Sequence, residues 1–128
     1  MPINIAQAVK ATEAAVAEAK RINRNMGIAI VEPSGELVYF YKMDGAPYSA
    51  HQLAIGKALT SARFRRPSRG FQDQIAKGNT YFLTFNVVAA PGGLVLVSEG
   101  KLIGAIGVSG GTGDEDEEVA KSGLATIK

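Results

Sequence analysis

Between Gly104 and Asp114 the chain reads Gly-Ala-Ile-Gly-Val-Ser-Gly-Gly-Thr-Gly-Asp, and few folds accommodate such a run. Lys101–Ser109 has the apolar, β-branched character of a strand. Glycines at 104 and 107 weaken a strand unless another backbone or a ligand comes close to it there. The glycines after Ser109 permit positive φ and present successive backbone amides, and a helix follows. A helix start of this kind is normally an anion site. Here Asp114, Glu115, Asp116, Glu117 and Glu118 occupy the first turn, where carboxylates complement the helix dipole and repel a phosphate. No GxxxxGK[ST] is present, which excludes a P-loop. The segment is therefore expected to line a pocket with Gly107, Ser109, Gly110 and Gly111, or else to pack tightly against another element.

The rest of the chain supplies the layers around that strand. Asn4 and Gln7 form a capping-box pair. Ile5, Ala8, Val9, Ala15, Val16, Ala19 and Ile22 then recur at helical spacing to about Asn25. Gly27–Val31 and Glu36–Met43 read as a hairpin around Glu32-Pro33-Ser34-Gly35. Asp44–Pro47 breaks it, and Ser49 heads a second helix that runs to Ala62. Arg63–Gly70 is a basic connection, followed by a short helix over Phe71–Lys77. Strands are predicted at Tyr81–Val88, Leu94–Ser98 and Lys101–Ser109, the last two joined at Glu99-Gly100. Asp114–Ile127 closes the chain as a helix. The order αββα(α)βββα predicts one α/β (α+β) domain over residues 1–128. Its five-stranded antiparallel sheet would be flanked by helices in a profilin- or PAS-like arrangement.

Composition narrows the function classes. Of 128 residues 46% are apolar and 20% charged, enough for a single core. The absence of cysteine removes disulfides, thiolate metal sites and cysteine nucleophiles. Met1-Pro2-Ile3-Asn4 leads into the first helix without a basic and apolar leader, and no run approaches bilayer length. A cytoplasmic protein with no membrane segment is expected. Ahead of Asp114 twelve Lys and Arg face seven Asp and Glu, a net +5; from Asp114 onward two lysines face five acids, a net −3. This uneven field suits anionic ligands but is too weak to indicate nucleic acid.

Several side chains are candidates for chemistry. Asp44 ends a strand, and His51, the sole histidine, is placed to act as a general base or an iron ligand. Lys57 and Arg63, with Arg65, Arg66 and Arg69 near Phe64 and Phe71, suit the carboxylates of a small molecule. Gly107-Val108-Ser109-Gly110-Gly111 matches GxSxG. It does so at the end of an antiparallel strand, without the strand-to-helix elbow that the motif requires. No metal-ligand spacing is present.

Together these residues resemble the GlcG/HbpS family, which includes the C-terminal domain of PduO-type proteins. The similarity rests on Gly27–Val31, Ser34–Val38, Met43-Asp44-Gly45-Ala46, Ala54–Thr60, Gly92-Gly93, Gly100–Gly111 and Val119–Ala125. It implies a single domain assembling into homo-oligomers from dimer to octamer, with haem bound in some members and others acting beside corrinoid and diol metabolism. The chain departs from the family pattern at Lys42 and Glu32, where Arg and Asp are common. Haem-binding members take a histidine from the first helix, and residues 4–25 here contain none. His51 lies on a different helix and does not inherit that role, for which Tyr48 and Met43 are the candidate substitutes. The expected function is a small-ligand-binding accessory protein, with haem or another tetrapyrrole as its ligand. The alternative is a cofactor-independent lyase, isomerase or hydrolase, with Asp44 or His51 as acid/base beside the Ser109 loop.

Overall fold

The computed structural model describes residues 1–128. Helix α1 spans Ile5–Arg21, strands β1 and β2 span Gly27–Val31 and Leu37–Lys42, and helices α2 and α3 span Ala50–Phe64 and Arg69–Ala76. A 3₁₀ turn at Thr80–Thr84 precedes β3 (Gly93–Ser98), β4 (Lys101–Ser109) and α4 (Gly113–Leu124). The sheet has four strands in the order β2-β1-β4-β3, and every pairing is antiparallel.

The mixed class is as the sequence implies, but the five-stranded profilin- or PAS-like sheet is not what this chain builds. Tyr81–Val88 is not a strand. Its aromatic side chains turn toward the end of α2 and toward α3: Phe82 packs on Phe71, Tyr81 and Phe85, and Phe64 stacks on Phe85. Asn86 takes a left-handed φ of 55°, which breaks any extended run. The Val88 amide is satisfied by Thr60 Oγ1 at 3.0 Å, where a strand would use a neighbouring carbonyl. Aromatic packing therefore overrides a run with high strand propensity.

Alternation along β1 and β4 separates two cores. Ile28, Ile30, Ile106 and Val108 face α1 and α4, meeting Ala8, Ala11, Ala15, Ala19, Val119 and Ala120. Ala29, Val31 and Ala105 face the other way, onto Ala54, Ala58 and Ala62 of α2. The second layer is built from small side chains, and this allows α2 to lie close to the sheet. The Asn4 carboxamide accepts the Gln7 amide at 2.8 Å, and Gln7 returns the bond at 3.0 Å, so α1 begins with a full capping box. On α3 Phe71 is fully buried beneath the Arg66 guanidinium, 4.2 Å from its ring centre. Phe71→Ala is expected to cost about 3–5 kcal/mol in urea unfolding, because the surrounding aromatic cluster cannot collapse into the vacancy.

Candidate functional site

Two adjacent stripes at i, i+4 spacing run along α2 and give it two functions. Ala50, Ala54, Ala58 and Ala62 are fully buried against the sheet. His51, Ile55, Leu59 and Arg63, each one position further on, line a groove of about 570 Å³ on the outer side together with Gln52, Gly56 and the loop Asn86–Val88. Twelve helical steps lead from His51 to Arg63, about 18 Å of rise. The loop wall is keyed into the helix: a Cβ on Gly56 would lie 2.5 Å from Val88 Cγ2. Thr60 Oγ1 accepts the Val88 amide and donates to the Gly56 carbonyl at 2.8 Å. At one end the exposed His51 ring meets Phe40 edge-on, with centroids 4.9 Å apart.

The other candidate residues lie elsewhere. Gly107 sits beneath α2, where a Cβ would fall on the Ala54 carbonyl oxygen and come within 2.5 Å of the Ala58 nitrogen. Gly110, at φ +148°, lies against the Asn25 carbonyl. Ser109 is buried at the end of β4. Lys57 points inward and is only 3% exposed. Its Nζ donates to the Val108 carbonyl at 3.0 Å and to Asp116 Oδ2 at 2.8 Å. The other carboxylate oxygen of Asp116 accepts the Gly111 amide at 2.9 Å. Asp44 occupies an exposed turn outside the groove lining. The structure thus joins His51 and Arg63 in one groove, while Lys57 and Gly107 lie at the opposite, packed side of the same helix, and Gly110 and Gly111 sit against Asn25, Met26 and Glu115.

The acidic first turn of α4 is satisfied from within the chain. Arg69 of α3 pairs with Asp114 and Glu117, Arg24 with Glu115, and Lys57 with Asp116. Thr112 completes a capping box with Glu115. The Thr112 amide and the Arg24 guanidinium hold the Glu115 carboxyl below the usual carboxylate range. Burial pushes Asp116 above its usual range, and Lys57 and the Gly111 amide offset this only in part. Asp116 and the Asn86–Val88 wall are the site-shaping groups that sequence reasoning missed. The i, i+4 recurrence of His51, Ile55, Leu59 and Arg63 was the available signal for the groove.

A family model described as "Haem degrading protein HbpS-like" matches residues 3–125. The chain belongs to the HbpS-like family. Protein GlcG of Escherichia coli K12 is 35% identical over 93 residues, covering 72% of this chain and 69% of GlcG. The corrinoid adenosyltransferase PduO of Salmonella typhimurium is 29% identical over 121 residues, and the match covers 36% of PduO. The solved PduOC–haem complex superposes with a TM-score of 0.91 at 26% identity, covering 100% of this chain and 96% of that one. A double mutant of Streptomyces reticuli HbpS does so with a TM-score of 0.91 at 27% identity, covering 100% and 88%. No helix of this HbpS-like chain is long and apolar enough to cross a membrane.

Proposed function

We propose that this protein binds a planar, anionic small molecule of the tetrapyrrole class, with haem as the leading candidate, in the groove on the outer side of α2. The observation that carries this reading is the lining itself: an apolar floor of Ile55, Leu59, Val87 and Val88 with a histidine at one end and an arginine at the other. Ligand pockets combine an apolar surface with a few orienting polar groups in this way. The HbpS-like family and the similarity to the PduOC–haem complex support the choice of ligand.

The residues present fit the group. Ile55, Leu59, Val87 and Val88 would cover a ring face, Arg63 would pair with carboxylates, and the His51 imidazole would offer a nitrogen donor. Met43 is unsuited to ligation, because it is buried with its sulfur accepting the Met26 amide at 3.3 Å. Tyr48, 99% exposed, remains accessible. Bound haem would supply a redox-active iron; the chain's own contribution is to bind and orient it. Acid–base catalysis by Asp44 or His51 beside the Ser109 loop has less support, since Asp44 lies outside the groove and Ser109 is buried at the end of β4.

Titration with haemin should produce a Soret band shift that His51→Ala alters and that Arg63→Ala weakens by about tenfold in affinity, as expected for loss of one charge-assisted contact. A shift untouched by His51→Ala and Arg63→Ala, or no shift at all, would overturn the assignment. The reading includes self-association. Tyr81, Leu83 and Phe85 are 58%, 66% and 39% exposed, an apolar ledge that suits burial against a second copy. Light scattering should report a mass above 13.4 kDa. A monomer at micromolar concentration would remove this part of the proposal.

A further inference from the structure

We infer that Gly56, Thr60 and Phe64 fix the width of the α2 groove and make it selective for a flat ligand over a thick one, with Thr60 as the positioning residue. The inference rests on the proposed reading of the groove as a ligand site and adds the shape that the ligand must have. The three residues recur at i, i+4 spacing, so they form a third stripe along the helix surface. The segment Phe85–Val88 docks on that stripe in the reverse direction. Phe64 stacks on Phe85, with ring centroids 6.1 Å apart. One turn back, Thr60 Oγ1 accepts the Val88 amide at 3.0 Å. One turn further back, Gly56 leaves room for the Val88 side chain, whose Cγ2 lies 2.5 Å from where a Cβ would stand.

A ring stack, a hydrogen bond and a steric notch therefore hold one wall of the groove at three successive turns of the helix. Thr60 is 3% exposed and donates its own proton to the Gly56 carbonyl at 2.8 Å, which leaves its oxygen oriented to receive the Val88 amide. Between the two ends of the wall Asn86 takes its left-handed φ of 55°, so the chain turns there, and Asn86, Val87 and Val88 all line the groove.

The height of this wall matters because the groove is a slot. About 570 Å³ spread along about 18 Å of helix leaves a cross-section of roughly 30 Å², enough for one aromatic layer of about 3.5 Å and not for two. A flat ring system enters without moving the wall. A thicker ligand must lift Val88 off Gly56 and draw its amide away from Thr60. It loses the free energy of that bond and contact, so it is rejected by a cost that the flat ligand does not meet.

Two iron-free porphyrins test this on the full chain by fluorescence titration, without any contribution from metal ligation. Protoporphyrin is flat, whereas the phenyl rings of tetra(sulfonatophenyl)porphyrin stand across the plane of the macrocycle; both are anionic. The wild-type protein should bind protoporphyrin about tenfold more tightly than the phenyl-substituted ring. Thr60→Val keeps the shape of the side chain and removes its oxygen, and should reduce that preference about fivefold. Thr60→Ser keeps the oxygen and should retain the preference. Gly56→Ala drives Val88 outward and should lower the preference without touching the hydroxyl. Amide exchange should be about fivefold faster at Val88 in Thr60→Val, with Ile28–Val31 unchanged. Equal losses for both porphyrins in Thr60→Val would make Thr60 merely structural and overturn this inference alone, as would a wild-type protein that binds both rings equally. A wild-type protein that binds neither ring would overturn the ligand reading of the groove together with its selectivity.

Discussion

Gly107→Val is expected to lower stability by about 3–5 kcal/mol, a large fraction of the 5–15 kcal/mol typical of a domain. The new Cβ alone would fall on the Ala54 carbonyl and press on the Ala58 nitrogen. Both obstacles are helix backbone, so relief requires α2 as a whole to move off the sheet. That movement would separate Ala54, Ala58 and Ala62 from Ala29, Val31 and Ala105 and open the second core. Urea unfolding followed by circular dichroism should show a midpoint lower by about 1–3 M. Gly70→Ala is the control. Nothing lies within 4 Å of its added methyl, and the change should stay within about 0.5 kcal/mol. A Gly107→Val protein as stable as the control would show that α2 is not seated as described.

Lys57→Met should cost about 3–5 kcal/mol near neutral pH, because it leaves the Asp116 carboxylate buried without its ammonium. Adding Asp116→Leu should recover most of that loss, since a buried ion pair is worth little more than apolar groups of similar volume. The single variant also has a distinctive pH dependence. Asp116 is already raised by burial, and without Lys57 it loses the largest opposing influence. Its folded-state affinity for a proton then exceeds the unfolded one by more, so the single variant should gain stability as pH falls through the Asp116 titration. Glu115 acts in the opposite sense. Its carboxyl is held low by Thr112 and Arg24, so its contribution is present above the unfolded value and is lost in acid. A Lys57→Met protein that only loses stability on acidification would show that Asp116 does not dominate the site.

Much of the local structure was legible. The Asn4–Gln7 capping box, the β-branched run Gly27–Val31 and the turn at Glu99-Gly100 carry their signals within a few residues. Both turn residues have positive φ, 51° and 77°, as a tight hairpin requires. Thr112 with Glu115 was an equally readable helix start, obscured by the glycines around it. Tyr81–Val88 misled because alternation with high β propensity is the pattern of a strand, and nothing local records that Phe64, Phe71 and Arg66 wait beside it. Lys57 was read as a ligand contact for a related reason. Lysines are rarely buried, and its partner lies 59 residues further along the chain.

The glycine run between Gly104 and Asp114 shows where each kind of information ends. Its residue types already required a close approach by some other backbone, because a strand keeps glycine where a side chain has no space. Family membership and the mixed architecture were likewise written into short motifs and periodicities. Whether the approaching backbone belonged to a ligand, a second subunit or this chain's own helix depended on contacts between residues about 50 positions apart, such as Gly107 with Ala54 and Ala58. Local physics carries no information about those distances. Packing decided it: α2 itself fills the space above Gly107, the inner face of that helix is closed by Lys57 and Asp116, and the open groove lies on its outer face between His51 and Arg63.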